Sequence, residues 1–247
     1  MCSSDLPGID HISFTGSPSV GTIIQQVAAE RHCPVTLELG GKGPQIMFDD
    51  ADMDAALPFL VSAIVQNSGQ TCSAGSRLLV QRSLYEPLLE RLGQAFSALR
   101  AGPPKMDLDL GPLIRQTQQA RVHGFLDQAR ADGIATVAQG QIVNEALASG
   151  FYAAPTLLRD VPVDHRLAQE EVFGPVLAAM CFDDEDQAVA MANATRFGLV
   201  AGVWTRDGAR QFRMAKRVKA GQIFINNYGA GGGVELPFGG EIGRAHV

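Results

Sequence analysis

The chain has 247 residues, 46% of them apolar and 19% charged, with a formal net charge of −6. That length buries a sizeable core, as one large domain or parts of two, and the composition is that of a globular protein. The net negative charge argues against a nucleic-acid surface, no apolar run reaches bilayer-spanning length and no processing signal is visible, so a cytoplasmic protein without a membrane partner is expected.

Short apolar strands alternate with helix-period segments, which predicts an α/β fold with a mainly parallel sheet. Residues 12–14 read as a strand end, followed by the turn Thr15-Gly16-Ser17 and a helix over 18–31. Ser17 is the expected N-cap, with Pro18 in the first turn. Strands are expected at 35–39, broken by Gly40-Gly41, and at 45–48. Asp52 caps an apolar helix reaching about Gln66, which Pro58 should kink unless it lies in an early turn. A strand at 78–81 precedes Ser83 and Glu86, spaced as a capping box for a helix to about Leu99. Further helices are expected over 115–131, 184–195 and 207–218, and strands near 156–158, 176–182, 200–205 and 222–225. The one biased stretch is the small-residue loop Gly229-Ala230-Gly231-Gly232-Gly233.

Both termini invite a codon-level reading. One permitted back-translation of residues 241–247 is GAG ATC GGA AGA GCA CAC GTC, which resembles a sequencing-library adapter. Its reverse complement translates as D-V-C-S-S-D-L; with GTG as start codon this gives Met-Cys-Ser-Ser-Asp-Leu, the sequence at 1–6. The expectation is that 1–6 and 241–247 are non-native and that Cys2 and His246 carry no function.

The four cysteines, Cys2, Cys33, Cys72 and Cys181, form no C-x-x-C pair, and no H-E-x-x-H occurs, so no zinc site is supported. A disulfide framework does not suit so long and cysteine-poor a chain. Cys181 sits in an apolar run and Cys33 precedes Pro34; both read as structural. Cys72 differs: small and polar residues surround it directly after a predicted helix, which fits either a nucleophile or a core thiol. Glu38 interrupts an otherwise apolar strand and is costly to ionise there, as suits a general base; a strand-end glutamate in water or paired with Lys42 is the other reading. The run from Gly16 to Thr22 resembles a phosphate loop without the lysine that an NTPase needs. What remains is a strand, a tight turn and a helix N-terminus able to hold a pyrophosphate. Glu170-Glu171-Val172-Phe173-Gly174-Pro175 places carboxylates beside a ring, suited to ribose and nicotinamide or to a plain helix-to-strand connection.

Five segments in order and spacing resemble the aldehyde dehydrogenase superfamily: Phe14-Thr15-Gly16-Ser17, Glu38-Leu39-Gly40-Gly41-Lys42, Gly69-Gln70-Thr71-Cys72-Ser73-Ala74-Gly75-Ser76-Arg77, Glu170 to Pro175, and Pro237-Phe238-Gly239-Gly240. The resemblance covers 7–240. It implies the end of a Rossmann-like cofactor domain over 7–41 and an α/β catalytic domain over 42–240. It implies NAD or NADP as cofactor, an aldehyde as substrate and a homo-oligomeric parent. Cys72 would attack the aldehyde as thiolate and Glu38 would activate the water that releases a carboxylic acid. Gly16, Ser17 and Val20 would meet the pyrophosphate, Leu39 would lie near the nicotinamide, and Glu171 and Phe173 would contact its ribose and ring. Phe238 would line the substrate tunnel or pack.

The family's oxyanion asparagine, its adenosine-ribose lysine and most of its cofactor sheet belong upstream of Pro7, so little dehydrogenase activity is expected of the 247 residues alone. A thiol esterase, a relative releasing a coenzyme A thioester and a non-catalytic family member are the alternatives. Glu38 favours the hydrolytic enzyme over an acylating one, and retention of Cys72 with Glu38 favours catalysis.

Overall fold

A computed structural model describes residues 8–144, 146, 150–229 and 237–244. Cys2, His246, residues 1–6 and most of the 229–233 loop lie outside the described residues.

Strand β1 (Ile12–Thr15) pairs in parallel with β2 (Val35–Glu38), joined by helix α1 (Pro18–Glu30). Ser17 caps α1, its hydroxyl accepting the Val20 amide at 3.4 Å, with Pro18 at the first helical position. The helix ends where His32 takes φ 55°, which turns the chain back toward β2.

The remaining elements, in chain order, are β3 (Pro44–Met47), α2 (Met53–Val65), β4 (Arg77–Gln81), α3 (Arg82–Ala98), β5 (Arg100–Ala101), α4 (Gln116–Ala131), β6 (Thr136–Gln139), β7 (Gln141–Ile142), β8 (Thr156–Leu158), α5 (Arg166–Gln169), β9 (Val176–Phe182), α6 (Glu185–Ala192), β10 (Val200–Trp204), α7 (Gly208–Arg217) and β11 (Gln222–Ile225). Seven strands form one sheet in the order β11-β10-β3-β4-β9-β8-β6, and β5 pairs separately with β7. Every pair in the large sheet is parallel except β6 with β8, so the architecture is α/β with a mainly parallel, mixed sheet.

The central strands are buried on both faces, as parallel sheets require, and are mostly apolar, with Gln45 and Arg77 the buried polar residues of β3 and β4. Side chains alternate between two cores. Ile46, Leu79, Met180 and Val203 pack toward Phe125 of α4, Ala188 of α6 and Met214 of α7. Met47, Leu78, Val80 and Trp204 pack toward Leu60 and Ile64 of α2 and Leu88, Leu92 and Phe96 of α3.

The expected capping box needs correction. Helix α3 starts one residue before Ser83, with no side-chain cap; Glu86 instead pairs with Arg159 while Arg82 pairs with Asp183. Cross-element ion pairs therefore displaced the capping box. Helix α2 is capped by Asp52 as expected and runs through Pro58 to Val65. Cys181 is half-buried and packs against the core beneath α2 and α3, where burial pushes its thiol up. Edge strand β6 went unread because only Ala138 of its four residues is buried, leaving no apolar alternation.

Candidate active site

Strands β3, β4 and β9 are adjacent and parallel, with Pro44 opposite Arg77 and Arg77 opposite Ala178. The segments entering their N-terminal ends, 39–43, 66–76 and 170–175, must therefore lie side by side. Because β2 leads straight into the first of them, the C-terminal ends of β1 and β2 face the same place. The Gly16 amide donates to the Glu38 carbonyl at 3.0 Å, tying the turn before α1 to that carboxylate's residue.

Cys72 is held by an unusual approach of the chain. Asn67 (φ 50°), Ser68 (φ 56°) and Gly69 (φ 72°) are all left-handed, costing roughly 1–2 kcal/mol for each non-glycine residue. Ser68 donates its hydroxyl to the Gly111 carbonyl at 2.8 Å, and Gly69 lies where any Cβ would collide with the Gly174–Pro175 backbone. After Gln70, residues 71–74 form a turn closed by the Ala74 amide on the Thr71 carbonyl at 3.1 Å, with Cys72 at its second position. The Cys72 carbonyl abuts Gly41: a Cβ built there would lie 2.0 Å from that oxygen. The Ser73 carbonyl accepts the buried Tyr228 hydroxyl at 2.8 Å. Gly43 and Gly202 leave the room that the phenol occupies.

Glu171 reaches across from the neighbouring segment. Its Oε1 accepts the Gly41 amide at 3.0 Å, and Oε2 occupies the space a side chain at Gly40 would need. Phe173 is left-handed, φ 57°. Its carbonyl and that of Val172 accept from Gln118 Nε2 at 2.7 and 3.0 Å, and Arg121 of the same helix donates to the Glu171 carbonyl at 2.5 Å. Strain of this kind persists where surrounding contacts over-determine it.

Burial pushes the Cys72 thiol up; the Glu171 carboxylate and, more weakly, Glu38 push the same way, against the amides of Ser73 and Cys72. Glu171 is itself pushed up by burial, which the Gly41 amide, Lys42, Arg121 and Arg196 counter. Lys42 is fully buried and falls to about 7, first through desolvation and then through Arg77. Arg77 is pushed down to about 10 by burial; its Nε donates to the Lys42 carbonyl at 2.9 Å and its Nη atoms to Met191 and Ala192 at 2.8 Å each. Those two carbonyls end α6, where the helix dipole favours a cation.

The structure thus brings Cys72, Glu38, Glu171 and Leu39 around one glycine pair. Leu39 also packs on Gly21 of α1, and Val20, 43% exposed, stands on that helix's open first turn. Phe238 is 42% exposed, so it does not pack in a core. A cleft of about 600 Å³ lined by Gln66, Asn67, Gln70 and Asp109 opens beside the turn, and Cys72 does not line it. Gly41, Lys42 and Arg77 stood inside the quoted motifs, so a signal existed for them. Gln118 carried none, and Tyr228 only as the start of the loop 228–235, expected to shape the substrate pocket.

The sequence profile described as the Aldehyde dehydrogenase family matches residues 3–242. Betaine aldehyde dehydrogenase 1 of Rhizobium meliloti (strain 1021) is 41% identical over 236 residues, 95% of this chain and 48% of that protein. A crystal structure of a Burkholderia cenocepacia protein assigned to the aldehyde dehydrogenases superposes with a TM-score of 0.96 at 68% identity, covering 99% of this chain and 51% of that one. The NAD+ complex of an aldehyde dehydrogenase from Bacillus cereus superposes with a TM-score of 0.92 at 35% identity, covering 99% and 49%. The chain spans about half the length of the curated relatives it matches. With the profile running over nearly all of its residues, the chain belongs to the aldehyde dehydrogenase family.

Proposed function

We propose that this chain supplies the nucleophile, the general base and part of the nicotinamide site for oxidation of an aldehyde to a carboxylic acid. The observation that carries the reading is the packing of Gly41 on the Cys72 backbone, three residues after Glu38. It supports a shared site, in which the Glu171 and Glu38 carboxylates both act on the Cys72 thiol.

A nicotinamide dinucleotide fits the residues present. The first turn of α1 has no acidic residue and a capped, positive N-terminus behind Gly16, as an anionic pyrophosphate requires. Gly16, Ser17 and Val20 would hold that group, Glu171 the ribose hydroxyls, and Leu39 and Phe173 the nicotinamide. The Bacillus cereus relative, solved with NAD+, supports this assignment. When bound, the cofactor, NAD or NADP, accepts hydride.

The chain's own residues perform the rest. The Cys72 thiolate attacks the aldehyde carbon, giving a thiohemiacetal whose oxygen the Cys72 backbone amide can stabilise. Loss of hydride leaves a thioester on Sγ. Glu38 takes a proton from water, the hydroxide adds to the thioester carbon, and the thiolate leaves with release of the acid. Sulfur suits both halves, as a strong nucleophile and a good leaving group.

Acylation of the purified chain by p-nitrophenyl acetate tests the assignment without a cofactor. A single acyl group on Cys72, found by peptide mass spectrometry and persisting longer in Glu38→Gln, is the expected result. Acylation confined to Cys33 or Cys181, or deacylation indifferent to Glu38, would overturn it.

A further inference from the structure

We propose that the Glu171 carboxylate, lodged on the Gly41 amide, restrains the nucleophile: its negative charge keeps Cys72 a thiol, and neutralising or displacing it releases the thiolate. The proposal deepens the reading above and rests on Cys72 being the reactive cysteine.

The geometry leaves one peptide between the carboxylate and the backbone of the nucleophile. One carboxylate oxygen takes the Gly41 amide at 3.0 Å, and the other fills the space that glycine at position 40 leaves open. The Cys72 carbonyl fills the corresponding space at Gly41. Glycine at 40 and 41 thus lets a carboxylate and the nucleophile's backbone close in on the same strip of chain. A ribose contact by itself gives no reason for the carboxylate to rest there.

The charged surroundings of the two groups differ. Cys72 faces Glu171 from the segment before β9, Glu38 from the end of β2, and the buried phenol of Tyr228 beyond β11. Glu171 faces Lys42 before β3, Arg121 on α4, and Arg196 after α6. The cations therefore steady the carboxylate, while the carboxylate acts on the thiol. Burial and the two carboxylates raise the thiol together, and only the amides of Ser73 and Cys72 pull it down. In partly buried surroundings such charge pairs are weakly screened.

Alkylation by iodoacetamide reads this directly. Thiolate sulfur displaces iodide from the methylene carbon, and the thiol proton goes to solvent, so the rate follows the thiolate fraction. The 247-residue chain and its Glu171→Gln, Glu171→Ala and Glu38→Gln variants are alkylated from pH 6 to pH 10, with Cys33, Cys72 and Cys181 followed separately by mass spectrometry. A thiolate made more abundant is also less nucleophilic, returning about half the gain on a logarithmic scale. With that allowance, Cys72 in Glu171→Gln should react about threefold faster at pH 7.5, with its midpoint moved to lower pH. Cys33 and Cys181 should be unchanged, and Glu38→Gln should have the smaller effect. An unaltered Cys72 rate and midpoint in folded Glu171→Gln would overturn the proposal, as would a larger response to Glu38→Gln. If neither Glu171 variant folds, Glu171→Asp decides, because its shorter side chain keeps the charge but draws it back from the Gly41 amide: faster Cys72 alkylation with a lower midpoint supports the restraint, and an unchanged rate and midpoint refute it. Failure of Cys72 to acylate in the ester experiment would instead sink the underlying assignment, whatever Glu171 does.

Discussion

Replacing Gly41 by alanine tests how tightly the two halves of the site are fitted together. Gly41 has no positive φ, so the added methyl brings no backbone strain of its own and acts through space alone. Its carbon would stand 2.0 Å from the Cys72 carbonyl oxygen and must retreat by about 1.4 Å to reach ordinary contact. The obstacle is backbone on both sides, anchored by the Arg77 hydrogen bond to Lys42 and by the Tyr228 hydrogen bond to Ser73. Overpacking costs typically 1–3 kcal/mol, and the upper end applies because no flexible side chain can give way. For a chain of this length, about 3 kcal/mol lowers the midpoint of thermal unfolding by roughly 6–12 °C. A misplacement of about 1 Å at a reacting atom costs on the order of a hundredfold in rate. Calorimetry and p-nitrophenyl acetate acylation at Cys72 are the assays. A Gly41→Ala chain that unfolds within about 2 °C of the parent and acylates at the parent's rate would refute the packing described here.

Gly124→Ala is the matched control: it lies inside α4, a Cβ there meets nothing within 4 Å, and the change should stabilise by about 0.5–1 kcal/mol in urea unfolding. Arg77→Met should cost about 3–5 kcal/mol, because three carbonyls lose their donors in a buried site; a near-neutral denaturation midpoint would contradict that. Asp50 supplies a pH test. Burial raises its carboxyl, but the Thr205 hydroxyl, the Asp207 amide, Arg210 and the Arg206 amide together outweigh it and hold the group below the ordinary aspartate value. Its folded-state pKa is thus depressed, so its contribution is complete above the unfolded value and disappears as pH falls through the folded one. Acid unfolding of Asp50→Asn should accordingly be less steep below pH 3.8 than that of the parent.

Much of the fold was legible from local pattern. The Ser17 and Asp52 caps were read where the structure has them, because an N-cap depends on one side chain and an amide three residues on. The central strands were legible because burial on both faces demands short runs of mostly apolar residues, such as Ile46-Met47 and Leu78-Leu79-Val80. Strand β6 was not, since an exposed edge leaves no such record. The Ser83 and Glu86 spacing misled because Arg159 lies 73 residues from Glu86 in the chain.

The sequence alone determined which side chains could do chemistry: a cysteine among small residues, a glutamate closing an apolar strand, and a carboxylate next to a ring and a turn. It also determined the glycines, without which none of these segments could approach its neighbour. Tertiary structure decided which of them share a space, because strand order in a parallel sheet is set by crossover helices and not by chain order. Placing β4 between β3 and β9 brought both the Cys72 turn and Glu171 onto the Gly41 loop, from some 30 and 130 residues away in the chain. The charge acting on the thiol is a property of that juxtaposition, since Coulombic energy depends on distance through space and on the burial that removes water.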